Sequence, residues 1–205
     1  MPATTLYCGS LAAFADALDG ELIALVNGAD VVVVPTASAF TGALAAALEI
    51  AHALEGRAAI ETLMAIDRAG CTEAYFARRI GEADLVVLAD GSVLHARSTW
   101  RETLVGEALR GARHLVAIGT VASALGDVMI DPRGGAPTTG LGYRSGLVAT
   151  TPASDEQLDR TRQLLGEGYV LAVLAPRGVL ASTDDVWRVA RGEVTLTRGS
   201  AEVTL

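Results

Sequence analysis

Three short runs, Val31 to Val34, Leu85 to Leu88 and Leu115 to Ile118, constrain this chain more than any other feature. Each is apolar at every position. A strand with one wet face alternates apolar and polar residues, because successive side chains point to opposite sides. An unbroken run fits a strand covered on both faces, as in a parallel sheet. Thr4 to Cys8 and Ala58 to Leu63 are further strands of the series. Helical patterns lie between them. From Phe40 to Leu54, the apolar residues Leu44, Leu48, Ala51 and Leu54 share one face, while Glu49, His52 and Glu55 fall elsewhere. Cys71 to Ile80 and Ser98 to Leu109 are helices on the same reasoning. Strand and helix in alternation predict a three-layer α/β/α sandwich around a mostly parallel, doubly wound sheet.

The pattern changes after residue 130. Asp131 to Gly146 is rich in Gly and Pro and is expected to be a long shaped loop. Ser154 and Gln157 form a capping box that starts another helix. From Tyr169 onward short β runs, broken by Gly and Asp, predict a short C-terminal antiparallel set. With no repeat or linker, residues 1–205 are expected to form one domain.

Composition excludes several chemistries. All 16 basic residues are Arg, so a P-loop and a Lys Schiff base are both out of reach. The net charge is −8, the arginines are dispersed, and no basic stripe is offered to nucleic acid. No apolar run approaches the roughly 20 residues of a membrane span, and Asp16 and Asp19 interrupt the N-terminal apolar stretch where a signal peptide would lie. Cys8 and Cys71 are isolated thiols, which fits a reducing compartment and predicts a cytoplasmic protein. Three scattered His and two scattered Cys lack metal-ligand spacing, so no metal is expected. Gly140-x-Gly142 does not open a helix after a strand, so no dinucleotide cofactor is expected either.

In an open α/β sheet, ligands bind at the carboxyl ends of the strands. Two segments therefore matter: Asp90-Gly91-Ser92 after one apolar run, and Gly119-Thr120-Val121-Ala122-Ser123-Ala124 after another. The second sits where a nucleophile elbow would, at a sharp turn with small neighbours.

On these and several other segments, the sequence resembles the class I glutamine amidotransferase-like superfamily, in its serine peptidase branch of aspartyl dipeptidases and cyanophycinases. The resemblance covers nearly the whole chain. It runs through Pro35-Thr36-Ala37-Ser38-Ala39-Phe40, Asp67-Arg68-Ala69, Asp90 to Ser98, Asp131-Pro132-Arg133-Gly134-Gly135 and Gly140-Leu141-Gly142, and ends in Trp187-Arg188-Val189 and Gly192-Glu193-Val194-Thr195. It implies an elbow of the form Gly-Ser/Thr-Ser-Ala-Gly-Ala. Here the nucleophile position holds Val121, and an isopropyl group cannot attack a carbonyl. A β-branched residue is also costly in a strained elbow, so the turn is expected to be relaxed or held by packing. The glycine pair that would supply an oxyanion N–H is Asp90-Gly91, whose carboxylate opposes developing negative charge. The base His is implied just before the Ser154 helix, where the residues are Thr150-Thr151-Pro152-Ala153.

The resemblance and these departures together lead to a catalytically degenerate pseudo-hydrolase. Its crevice, bounded by Asp90, Gly91, Ser92, His95, Thr120, Val121, Ser123, Asp131 and Arg133, would keep a small amide- or peptide-like ligand. Two alternatives stay open. One is an active hydrolase or amidase with a relocated nucleophile: Ser123, Ser92 paired with His95, or Cys8. The other is a non-catalytic interaction subunit; a homodimer is the expected assembly. Asp131 and Arg133 are otherwise ordinary loop residues, His52 a solvated one, and His114 an exposed residue at the amino end of its strand.

Overall fold

The computed structural model describes residues 3–184, 186–199 and 201–203. The first half alternates as the apolar runs require: β1 (Thr4–Cys8), α1 (Leu11–Ala17), α2 (Ile23–Val26), β2 (Asp30–Val34), α3 (Ala43–Ala53), β3 (Ala59–Thr62), α4 (Ala74–Glu82), β4 (Leu85–Leu88), α5 (Val93–Trp100), α6 (Leu104–Gly111) and β5 (His114–Ile118). The second half contains β6 (Val128–Ile130), β7 (Pro137–Thr139), β8 (Leu147–Thr150), α7 (Asp155–Leu165), β9 (Val170–Leu174), β10 (Val179–Thr183), β11 (Val186–Arg191), β12 (Val194–Arg198) and β13 (Ala201–Glu202).

The main sheet has the order β11-β10-β1-β5-β4-β2-β3. Its five strands from β1 to β3 are mutually parallel, and β10 and β11 add antiparallel partners at one edge. Alternate residues of each strand enter two separate cores. Val32, Val34, Val86, Leu88, Leu115 and Ala117 face one core with Ile80, Trp100 and Leu109 of α4, α5 and α6. Val31, Val33, Leu85, Val87, Val116 and Ile118 face the other with Phe14 of α1 and Ala47 and Ile50 of α3. All four residues from Val31 to Val34 are fully shielded, so the unbroken apolar run follows from helices on both faces. This is the three-layer α/β/α arrangement that the sequence predicts.

Three local expectations need correction. The buried face of α3 is Ala43, Ala47 and Ile50, continued by Leu54, while Leu44 and Leu48 are each 58% exposed. Alanine lets the helix approach the sheet closely, and the larger leucines are left outside. The stretch from Ser98 to Leu109 is two helices, not one. Glu102 takes a left-handed φ of 56°, and Thr103 caps the second helix by accepting from Gly106 N–H at 3.2 Å. Arg68 holds the junction by donating to the carbonyls of Ser98 and Arg101 at 3.2 and 2.8 Å.

The Asp131–Gly146 loop contains β7, which pairs with β6 as a short antiparallel ribbon. The short C-terminal antiparallel set that the sequence predicts is present in β9, β12 and β13. β10 and β11 extend the main sheet, whereas β9 and β12 join β13 and β8 in a second sheet ordered β13-β12-β9-β8, antiparallel except at the β8–β9 pair. The capping box of α7 is present, with both Ser154 and Gln157 bonded reciprocally. Among the described residues, no helix is long and apolar enough to cross a membrane.

Candidate functional site

Strands β4 and β5 are parallel neighbours, with Leu88 opposite Ala117, so the turns that follow them emerge side by side. Asp90 leaves the first turn and Gly119 the second. The Asp90 carboxylate binds across the gap: one oxygen accepts from Gly91 N–H at 2.7 Å, from Thr120 N–H at 2.8 Å and from the Thr120 hydroxyl at 2.8 Å. The same hydroxyl lies against the Gly91 carbonyl. Backbone N–H groups converging from two turns form a cradle for negative charge, and here the protein fills it with its own carboxylate. Ser38 ties the turn from the far side, donating to the Asp90 carbonyl at 2.5 Å.

Two glycines make this packing possible. Gly119 has φ 66°, and a Cβ there would lie 2.1 Å from the Asp90 carboxyl carbon. Gly91 has φ 148°, and its Cβ would lie 2.3 Å from the Ala37 carbonyl oxygen. The turn after β5 continues as a 3-10 helix, Gly119–Leu125. Val121 sits within it, fully buried in the core beneath α5 and α6. Its φ is not positive, so the left-handed conformation falls on Gly119 and the β-branched residue is accommodated by packing.

Beside this turn lies a cavity of about 230 Å³, between the 3-10 helix, the start of the Asp131 loop and the entry to α7. Of the residues singled out by the sequence, Thr120, Ser123 and Asp131 line it. Asp90, Gly91, Ser92, His95 and Val121 do not. Thr150-Thr151-Pro152-Ala153 also line the cavity, so the segment where a base was implied shares it with Ser123. Gln157 and Thr161 of α7 complete the polar lining and were missed. The capping box that starts α7 was the one sequence signal that could have pointed to them.

Each candidate group has a defined partner. Ser123 is buried, and its Oγ accepts from Ile130 N–H at 3.1 Å. Thr161 Oγ lies 2.6 Å from the Gly135 carbonyl and 2.8 Å from that of Gln157. Asp131 folds its own loop, accepting Arg133 N–H on Oδ1 at 2.9 Å and Gly135 N–H on its carbonyl at 2.9 Å. Arg133 itself is exposed and does not line the cavity, which corrects its expected place in the crevice.

Ser92 and His95 do not form a hydroxyl–imidazole pair. Ser92 caps α5 by accepting His95 N–H at 3.2 Å. The His95 ring turns away, with Nε2 at 2.8 Å from the Ile66 carbonyl and Phe40 edge-on at 4.6 Å. His52 is exposed beside Glu55, at 3.3 Å. His114 lies at the amino end of β5 but is buried, at 6% exposure, not exposed as expected. Burial, reinforced by Arg113, holds its imidazole pKa below the usual value. Cys8 is fully buried on the α1 face, and desolvation followed by the nearby Glu21 charge pushes its thiol up to about 12. Such a thiol is protonated and inert at neutral pH. Among the described residues, no imidazole or thiol lines the cavity.

No protein-family model matches the chain, and no curated protein is similar to it at a significant level. Solved structures are similar in fold. A peptidase from an acI-B1 Actinobacterium superposes over 100% of this chain and 94% of its own, with a TM-score of 0.76 at 18% identity. A candidate Peptidase E protein from Listeria monocytogenes EGD-e superposes over 97% of this chain and 99% of its own, with a TM-score of 0.67 at 13% identity. The chain therefore has a peptidase-type fold of the Peptidase E kind.

Proposed function

We propose that this protein is a catalytically degenerate member of the serine-peptidase branch that its sequence resembles. In this reading the crevice persists as a binding site for a small neutral amide- or peptide-like ligand. The carrying observation is the cavity lining: Ser123 shares it with Thr150-Thr151-Pro152-Ala153, and no imidazole is among the lining residues described. A serine hydroxyl is a weak nucleophile until an adjacent base takes its proton. Ser123 Oγ is also held by the Ile130 N–H, which draws electron density from the oxygen.

Two further features support the same reading. The isopropyl group of Val121 occupies the elbow position inside the core. The Asp90 carboxylate takes up Gly91 N–H and Thr120 N–H, donors that would otherwise be free to meet a ligand oxygen. Oxyanion stabilisation needs donors that are empty until charge develops.

The ligand class follows from charge. No Arg lines the cavity, and Asp131 is its one carboxylate. A free carboxylate on the ligand would meet no counter-ion there. Hydroxyls of Thr120 and Thr150 and the Gln157 amide suit an amide group, which both donates and accepts.

The test is hydrolysis of aspartyl dipeptides and β-aspartyl-arginine polymers by the intact protein and by Ser123→Ala, beside calorimetric titration with an N-acetyl dipeptide amide. The expected result is no turnover by either protein, and binding of the blocked amide in preference to the free acid. Turnover that disappears in Ser123→Ala would overturn the degenerate reading and establish the relocated nucleophile.

A further inference from the structure

At the opposite end of the strands lies a broad cleft of about 840 Å³, lined by Thr5, Arg110, Arg113, Tyr143, Arg144 and Ser182, among others. Its floor is a cross-strand pair: Thr5 of β1 and Ser182 of β10 are directly opposite in register, both with buried side chains. Arg144 lies over this pair and donates from Nε to Thr5 Oγ at 2.7 Å and from Nη1 to the Tyr143 carbonyl at 2.7 Å. Arg110 stacks over the Tyr143 ring, 5.4 Å from its centroid, and donates to the Leu141 carbonyl at 3.2 Å.

Three features of this cleft point to a ligand. The chain carries 24 acidic residues against 16 arginines, yet the cleft gathers three arginines against one described carboxylate, Asp184. Neither Arg110 nor Arg144 forms an ion pair with any described residue. Finally, the Ser182 hydroxyl on the cleft floor bonds to no described residue and lines the open cleft.

Guanidinium forks beside hydroxyl donors match one chemistry, an oxyanion with several acceptor oxygens. We infer that this cleft binds a small, multiply charged oxyanion, a phosphoryl or polycarboxylate group, held by Arg110 and Arg144 with the hydroxyl of Ser182. The site stands apart from the crevice at the carboxyl ends and does not depend on whether that crevice is catalytic.

Inorganic pyrophosphate and citrate are titrated separately into the full-length protein by calorimetry at constant ionic strength, since exposed charges are screened by salt. Saturable binding of either is expected: tighter pyrophosphate identifies a phosphoryl ligand, tighter citrate a polycarboxylate. Arg110→Gln weakens the better ligand by about ten- to a hundredfold, the worth of charge-assisted hydrogen bonds. Ser145→Glu adds a carboxylate to the cleft rim without removing any bond, and weakens it comparably. Arg133→Gln, at the other end of the molecule, leaves binding unchanged. Absence of binding by both anions, or retention of full affinity in Arg110→Gln and Ser145→Glu, overturns the assignment.

Discussion

At the carboxyl ends of β4 and β5, Asp90 accepts three hydrogen bonds, Ser123 receives Ile130 N–H, and Thr161 reaches two carbonyls. At the amino ends of β1 and β5, the Ser182 hydroxyl bonds to no described residue, and the guanidinium groups of Arg110 and Arg144 have no carboxylate partner among the described residues. One end closes its polar accounts internally, and the other leaves them open. The first pattern makes polar residues part of the scaffold, so removing them costs stability. The second makes them available to something else, so removing them costs the fold little. Stability and binding should therefore separate between the two ends.

Urea unfolding of single variants tests that separation. Gly119→Ala carries the largest expected loss, about 3 kcal/mol or more, because a Cβ there collides with Asp90 and adopts a left-handed backbone. Combining it with Asp90→Ala should recover the collision part, a non-additivity that independent sites would not produce. Asp90→Ala alone should cost about 2 kcal/mol, since two backbone N–H groups and a hydroxyl lose a charged acceptor. Ser123→Ala should cost about 1 kcal/mol by stranding the buried Ile130 N–H.

A pH titration probes His114 at the opposite end. Its folded pKa is lowered from 6.5, so the unfolded chain binds more protons below that value. Stability is then intact above about 6.5 and falls as pH drops from there toward the folded pKa, and His114→Gln should flatten that limb. Ser182→Ala comes last, with a change within about 0.5 kcal/mol. A large loss there would mean that the hydroxyl belongs to the scaffold after all, and would erase the contrast.

The sheet was legible in the sequence because burial on both faces leaves an unmistakable mark: Val31 to Val34 have no polar position to hide. The face of α3 was misread because its buried stripe is built on Ala43 and Ala47, and alanine carries little pattern, whereas the exposed Leu44 and Leu48 carry much. The break between α5 and α6 has neither Gly nor Pro to announce it; Thr103 is its only local signal. At the candidate site, the motif residues could be placed on their turns, but the reach of Asp90 to Thr120 depends on β4 pairing with β5. The amino-end cleft was invisible for a similar reason. Thr5 and Ser182 meet only because β10 inserts antiparallel beside β1, a long-range pairing that no local pattern encodes.

The fit between Gly119 and Asp90 also bears on how such a turn can change over generations. Because the carboxylate fills the space that a Cβ at 119 would need, position 119 cannot gain a side chain while Asp90 stays. Replacing Val121 by Ser would restore a hydroxyl to the elbow while the N–H groups around it stayed occupied. In the degenerate reading proposed above, a working elbow would need changes at 90, at 121 and in the 150–153 segment together, so the turn after β5 would be easily entered by small steps and not easily left by them.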